Sequence, residues 1–181
     1  MGHHVGVAGK GGMRGRQTVR DMILSMLAVG GVALVAYLFI PHSASDPVRV
    51  VDYSSSYSSA KRAAPYPLLA PQGLPAGWRA TSVQYTPPAG NSGIATWHLG
   101  FVTPEGKYAA LEQSDAAKDD VLAAVVPGYQ PDGSASVDGK QWERYQGDSY
   151  RGLTEPTGTA TTVVTGSASY DELAQLAAAL H

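Results

Sequence analysis

TWHLGFVTPEGKYAALEQSD, residues 96–115, decides the fold. Residues 94–102 (IATWHLGFV) are rich in β-branched and aromatic side chains, which suit a pleated, half-buried surface. Thr103-Pro104-Glu105-Gly106 reads as a turn, and residues 108–113 (YAALEQ) read as a returning strand. Two runs joined by a short Pro/Gly loop make an antiparallel hairpin. Its pairing sets His98 opposite Glu112 or Gln113.

Working outward, residues 80–86 alternate, with Val83 and Tyr85 on one side, so a further strand precedes the hairpin. Residues 87–93 are a loop by composition. Downstream, residues 115–126 predict a helix capped by Ser114, with Asp115 in its first turn and Val121, Leu122, Val125 and Val126 as its apolar stripe. Pro127-Gly128 stops it. Pro131-Asp132-Gly133-Ser134 reads as a turn or loop. Around it, Val137, Trp142 and Tyr145 predict two short strands joined at Asp138-Gly139. Residues 149–154 and 160–165 predict two more strands. Ser169 with Glu172 three residues on forms a capping box for a last helix, whose Leu173, Leu176, Ala177 and Leu180 face the sheet. The expected fold class is α+β: an antiparallel β-sheet with flanking helices, preceded by one N-terminal transmembrane helix.

That transmembrane helix is read from residues 22–40, MILSMLAVGGVALVAYLFI, which are 19 residues without a charge. At 1.5 Å per residue the run spans roughly 28 Å, close to the hydrocarbon thickness of a bilayer. Lys10, Arg14, Arg16 and Arg20 precede it, and Arg49 alone follows closely, so the N-terminus is expected in the cytoplasm. The competing reading is a signal peptide cleaved after Ser45, against which the length of the run argues. The chain then divides into a disordered basic cytoplasmic tail (1–21), the membrane helix (22–40), an extracytoplasmic linker with a helix around residues 53–64 (41–75), and an extracytoplasmic α+β domain (76–181). The plasma membrane is the expected location. Gly30-Gly31 lacks a convincing small-xxx-small pattern for helix dimerisation.

Charge and composition exclude several functions. From Pro41 onward nine Lys/Arg face fourteen Asp/Glu, a poor balance for neutralising phosphates, so no nucleic acid is expected as partner. With no cysteine there is no disulfide, thiol nucleophile or thiolate metal site. Gly9-Lys10-Gly11-Gly12 lies in the tail rather than between a strand and a helix, so it is no phosphate loop. His3 and His4 sit side by side in the same tail. Asp115, Asp119 and Asp120 lack the spacing of a calcium loop, and no set of histidines suits zinc. No cofactor is expected.

Arg20, Asp21, Met22 and Ser25 form an RDMxxS opening. Pro65-Tyr66-Pro67, LPAGWRATS (74–82) and the hairpin follow, and the Leu/Ala-faced last helix closes the chain. Together these segments resemble an actinobacterial family of single-pass membrane proteins known as domain of unknown function 4245, over about residues 17–180. The resemblance implies an anchored extracytoplasmic domain and carries no catalytic or binding residue with it.

The best polar cluster is His98 with Glu112 and Asp115, since a histidine held by a carboxylate can act as a base. A cross-strand polar pair on a solvated face is the plainer explanation, because no G-x-S-x-G, S-x-x-K or cysteine supplies a nucleophile. Trp78, Trp97 and Trp142 read as core residues. The leading expectation is therefore a non-enzymatic binding or interaction module at the cell envelope. Its partners would be the lipid bilayer and an envelope protein, glycan or lipid. The alternative is an envelope hydrolase or transferase using His98 with Glu112 or Asp115. A signalling adaptor comes third, because the tail is short.

Overall fold

The computed structural model describes residues 49–90 and 93–181, so the tail and the apolar run at 22–40 lie outside the described residues. Among the described residues no helix is long and apolar enough to cross a membrane. The elements, in order, are α1 (Ser54–Ala63), β1 (Arg79–Thr86), β2 (Thr96–Val102), β3 (Tyr108–Ser114), α2 (Lys118–Val125), β4 (Gln130–Val137), β5 (Lys140–Gln146), β6 (Arg151–Thr157), β7 (Ala160–Gly166) and α3 (Tyr170–Ala178). All seven strands join one antiparallel sheet in the order β1-β2-β3-β7-β6-β5-β4. Two meanders, β1–β3 and β4–β7, are thus sewn together where β3 meets β7, and α2 carries the chain to the far edge. The α+β expectation holds.

Alternation along each strand gives the sheet two unlike faces. On the packed face Trp97, Leu99, Phe101, Leu111, Leu153 and Val164 meet Leu173 and Leu176 of α3 in one buried cluster. Burying each leucine or valine here stabilises the domain by about 1.5–3 kcal/mol. Residues 53–74 also belong to this face. Ala60 of α1, and Tyr66, Leu68 and Ala70 from the Pro-punctuated stretch, are core residues. Buried Gln113 holds that stretch down. Its Oε1 accepts from Leu69 N–H at 2.8 Å, and its Nε2 donates to Pro67 O at 3.3 Å and Thr162 Oγ1 at 3.0 Å. Tyr66 completes the clasp by donating to the carbonyls of Ala95 and Gln113.

The opposite face carries a smaller cluster, in which Val121, Leu122 and Val126 of the α2 segment pack on Tyr145 and Val163. Here the structure departs from the sequence reading. The helix begins at Lys118, not at residue 115, because Ser114 remains in β3 opposite Thr96 and Thr161. The Ser114 hydroxyl accepts from Ala116 N–H instead of capping a helix, and the acidic first turn is Asp119 and Asp120. Residues 131–134, read as a turn, lie inside β4. This strand sits at the edge of the sheet, where proline is tolerated, and its register shifts between Pro131 and Ser134. The expected turn at Asp138-Gly139 is present, with φ of +48° and +76° as a tight two-residue hairpin requires. The capping box of Ser169 and Glu172 also forms.

Candidate functional site

The β2–β3 register pairs His98 with Glu112 and Trp97 with Gln113. Because faces alternate, a one-residue step separates the buried clasp of Gln113 from the partly exposed pair of His98 and Glu112. His98 Nδ1 lies 2.6 Å from Glu112 Oε1. The other ring nitrogen, Nε2, lies 2.8 Å from the hydroxyl of Ser82 on β1. Three adjacent strands therefore contribute one side chain each to a row, serine to imidazole to carboxylate. A carboxylate has no proton to give, so Nδ1–H donates to Glu112, and in the neutral ring Nε2 is left as acceptor for Ser82 Oγ–H.

Two backbone features admit Ser82 to the row. The β1–β2 register shifts between Ala80 and Ser82, leaving Thr81 as a bulge that re-aims the following side chain. Ser82 stands opposite Gly100, while Gln84 stands opposite His98, so the serine reaches the imidazole diagonally across the glycine. A Cβ at position 100 would come within 2.2 Å of Ser82 Oγ and 3.2 Å of His98 Nε2. Only glycine leaves the hydroxyl its path.

The row runs on into a cavity of about 290 Å³, walled by Glu112, Tyr108 and Tyr150 with Val125, Pro127 and Thr165. The rings of Tyr108 and Tyr150 lie 5.9 Å apart and tilted. Burial, reinforced by the nearby Glu112 and Tyr150, pushes the Tyr108 hydroxyl up to about 12, so it stays a neutral donor. A larger, open groove of about 990 Å³ beside the start of α3 offers less chemistry, although Lys107, Arg144 and Arg151 line it. Glu105, Asp171 and Glu172 line it too, and Arg144 is already spent on Asp132 at 2.9 Å and on the face of Tyr170 at 3.7 Å. The smaller cavity with an ordered polar row is the better site.

Asp115, grouped with His98 and Glu112 in the sequence reading, is occupied elsewhere: its Oδ1 accepts from Ala95 N–H at 2.8 Å. Its charge also acts on Tyr66 and Tyr85, whose hydroxyls are raised by burial first and by Asp115 second. Ser82 was missed because nothing in its local sequence marks it. The LPAGWRATS segment contains the residue, but its partner lies sixteen positions on and is met only through the bulge and Gly100. Trp97 and Trp142 are buried, and Trp78 is partly buried against the same core cluster. Among the described residues no three carboxylates or histidines converge as metal ligands would.

Fold and site thus define a small α+β domain with one open, polar half-face. The chain belongs to the family described as protein of unknown function (DUF4245), which matches residues 14–180. Neither the curated proteins nor the solved structures contain a match to it.

Proposed function

We propose that this protein is a membrane-anchored binding module whose domain faces the outside of the cell and whose ligand is an envelope glycan. The observation that carries the reading is the pairing, on one half-face, of a polar row with a tyrosine-walled cavity. Ser82, Gln84, His98 and Glu112 offer donors and acceptors side by side, and Tyr108 and Tyr150 offer ring faces next to them. Sugars present the matching chemistry, hydroxyls around a ring with apolar C–H faces, and tyrosine combines an apolar body with a polar tip. α2 covers β7 and β5 on this side through Val163 and Tyr145, and the β1–β3 strands beside it carry the polar row. Anchoring rests on the uncharged run at 22–40 and its flanking arginines.

Two measurements test the reading. Full-length protein in nanodiscs, titrated with soluble envelope polysaccharide fragments, should bind, and Tyr108→Ala with Glu112→Gln should abolish binding. Binding that survives both substitutions, or no glycan binding at all, would overturn the choice of ligand. Because the chain has no cysteine, single cysteines placed at Thr18 and Ser55 report topology cleanly. Membrane-impermeant maleimide on intact cells should label the second position alone. Labelling of Thr18→Cys instead would reverse the orientation.

A further inference from the structure

We infer that Ser82 is an activated nucleophile and that Ser82, His98 and Glu112 form an acyl-transfer centre for carboxylic esters. The inference goes beyond glycan binding and does not depend on it. The hydroxyl meets Nε2 at 2.8 Å and the carboxylate meets Nδ1 at 2.6 Å. That is the assignment of ring nitrogens in serine hydrolases, where the arrangement recurs on unrelated folds and is recognised by geometry and role rather than by sequence position. A cross-strand ion pair would use only one ring nitrogen. Here both are used, on opposite strands, and the glycine at position 100 keeps the path of the hydroxyl free. The side chains of His98 and Glu112 are 25% and 19% exposed, open enough for a substrate and sheltered enough to hold their geometry.

The reaction balances with water as the only co-reactant. Ser82 Oγ attacks the ester carbonyl carbon while His98 Nε2 takes the hydroxyl proton. The C–O bond to the alcohol breaks, and Nε2 returns that proton to the departing oxygen. His98 then takes a proton from water, the resulting oxygen attacks the acyl-serine, and the carboxylic acid leaves as Ser82 recovers its proton. Glu112 stays ionised throughout and holds the ring.

The test uses full-length protein in detergent, an alkyl fluorophosphonate probe and p-nitrophenyl butyrate. One adduct is expected in the folded protein, and peptide mass mapping should place it on Ser82. Hydrolysis of the ester should fall about 100-fold or more in His98→Gln, the usual scale of general-base loss. Mapping the adduct on the unaltered chain keeps the test valid even where a variant misfolds. No adduct on Ser82, or a rate unchanged in both Ser82→Ala and His98→Gln, would overturn the inference and leave the row as a structural ladder.

Discussion

Replacing Gly100 by alanine separates the site from the fold. The new Cβ would lie 2.2 Å from Ser82 Oγ, 3.2 Å from His98 Nε2 and 3.4 Å from a ring carbon of Tyr108. The last two contacts need only small adjustments, but the first cannot stand, and the serine must turn to another rotamer. The hydrogen bond to His98 is then lost, which costs about 0.5–1.5 kcal/mol. Against this, alanine in a strand interior gains about 0.5–1 kcal/mol over glycine through the unfolded chain. The two nearly cancel, so the net change stays within about 1 kcal/mol, a melting shift of no more than about 5 °C. Urea unfolding followed by tryptophan fluorescence measures it directly, because Trp78, Trp97 and Trp142 all lie in the folded α+β domain. A double-mutant cycle sharpens the reasoning. With Ser82→Ala already in place the clash has no partner, and Gly100→Ala should become stabilising. A coupling of about 1 kcal/mol is expected between the two positions. In the serine background, phosphonylation of Ser82 should drop steeply while the fold persists. Two outcomes would refute the reasoning: independent, additive effects, or a loss of several kcal/mol from Gly100→Ala alone.

Three further predictions concern the surrounding structure. Gln113→Leu should destabilise the domain by about 1–3 kcal/mol in urea unfolding, because it takes the partner from the part-buried Leu69 N–H and Pro67 C=O. Asp115→Ala should cost about 1–2 kcal/mol by freeing Ala95 N–H, yet leave ester hydrolysis unchanged, since Asp115 stands outside the row. Glu172 is pulled two ways. Burial raises its carboxyl, but Oε2 accepts from the backbone N–H and the hydroxyl of Ser169 at 2.9 and 3.0 Å, and the polar surroundings outweigh burial and hold the group at about 2, below its ordinary 4.5. A depressed carboxylate contributes stability above its unfolded value and loses it on acidification. The stability gap between the wild type and Glu172→Gln should therefore narrow from pH 4.5 down to pH 2, and a gap flat across that window would contradict the assignment.

What could be read from the sequence was what neighbouring residues decide. The 96–115 hairpin, the Asp138-Gly139 turn and the Ser169 capping box each depend on a few consecutive side chains, and each formed where the pattern put it. The failures came where distant contacts overrule local preference. Ser114 has the chemistry of a helix cap, but pairing with Thr161 of β7 keeps it in the sheet. Pro131 through Ser134 has turn composition, but an edge position beside β5 extends it. The prolines of residues 65–71 look like a linker until Tyr66 and Gln113 meet across 47 positions. In the site, counting across one turn put His98 opposite Glu112 or Gln113, and the register chose Glu112. Ser82 was beyond such counting, because its place depends on a bulge and on the absence of a side chain at position 100, which no local pattern announces.

The two faces of the sheet divide the labour, and this bears on how the row should be judged. The packed face holds Trp97, Leu99, Leu111 and Leu153 at zero exposure together with the helix α3, and the stability of the domain rests there. His98 and Glu112 alternate with Trp97, Leu99 and Leu111 along β2 and β3, and Ser82 precedes Val83 of the packed face in β1, so their positions are fixed to the pitch of a rigid sheet and not to a loop. A purely structural role would require the row to add stability. Yet each of its two hydrogen bonds contributes only about 0.5–1.5 kcal/mol net. A row that costs a bulge and demands a glycine, and that the fold scarcely needs, is better explained by what it does to a molecule arriving from solvent. Substituting all three residues with alanine should accordingly lower the melting point by no more than about 10 °C while removing reactivity, and a collapse of the fold would assign the row to structure.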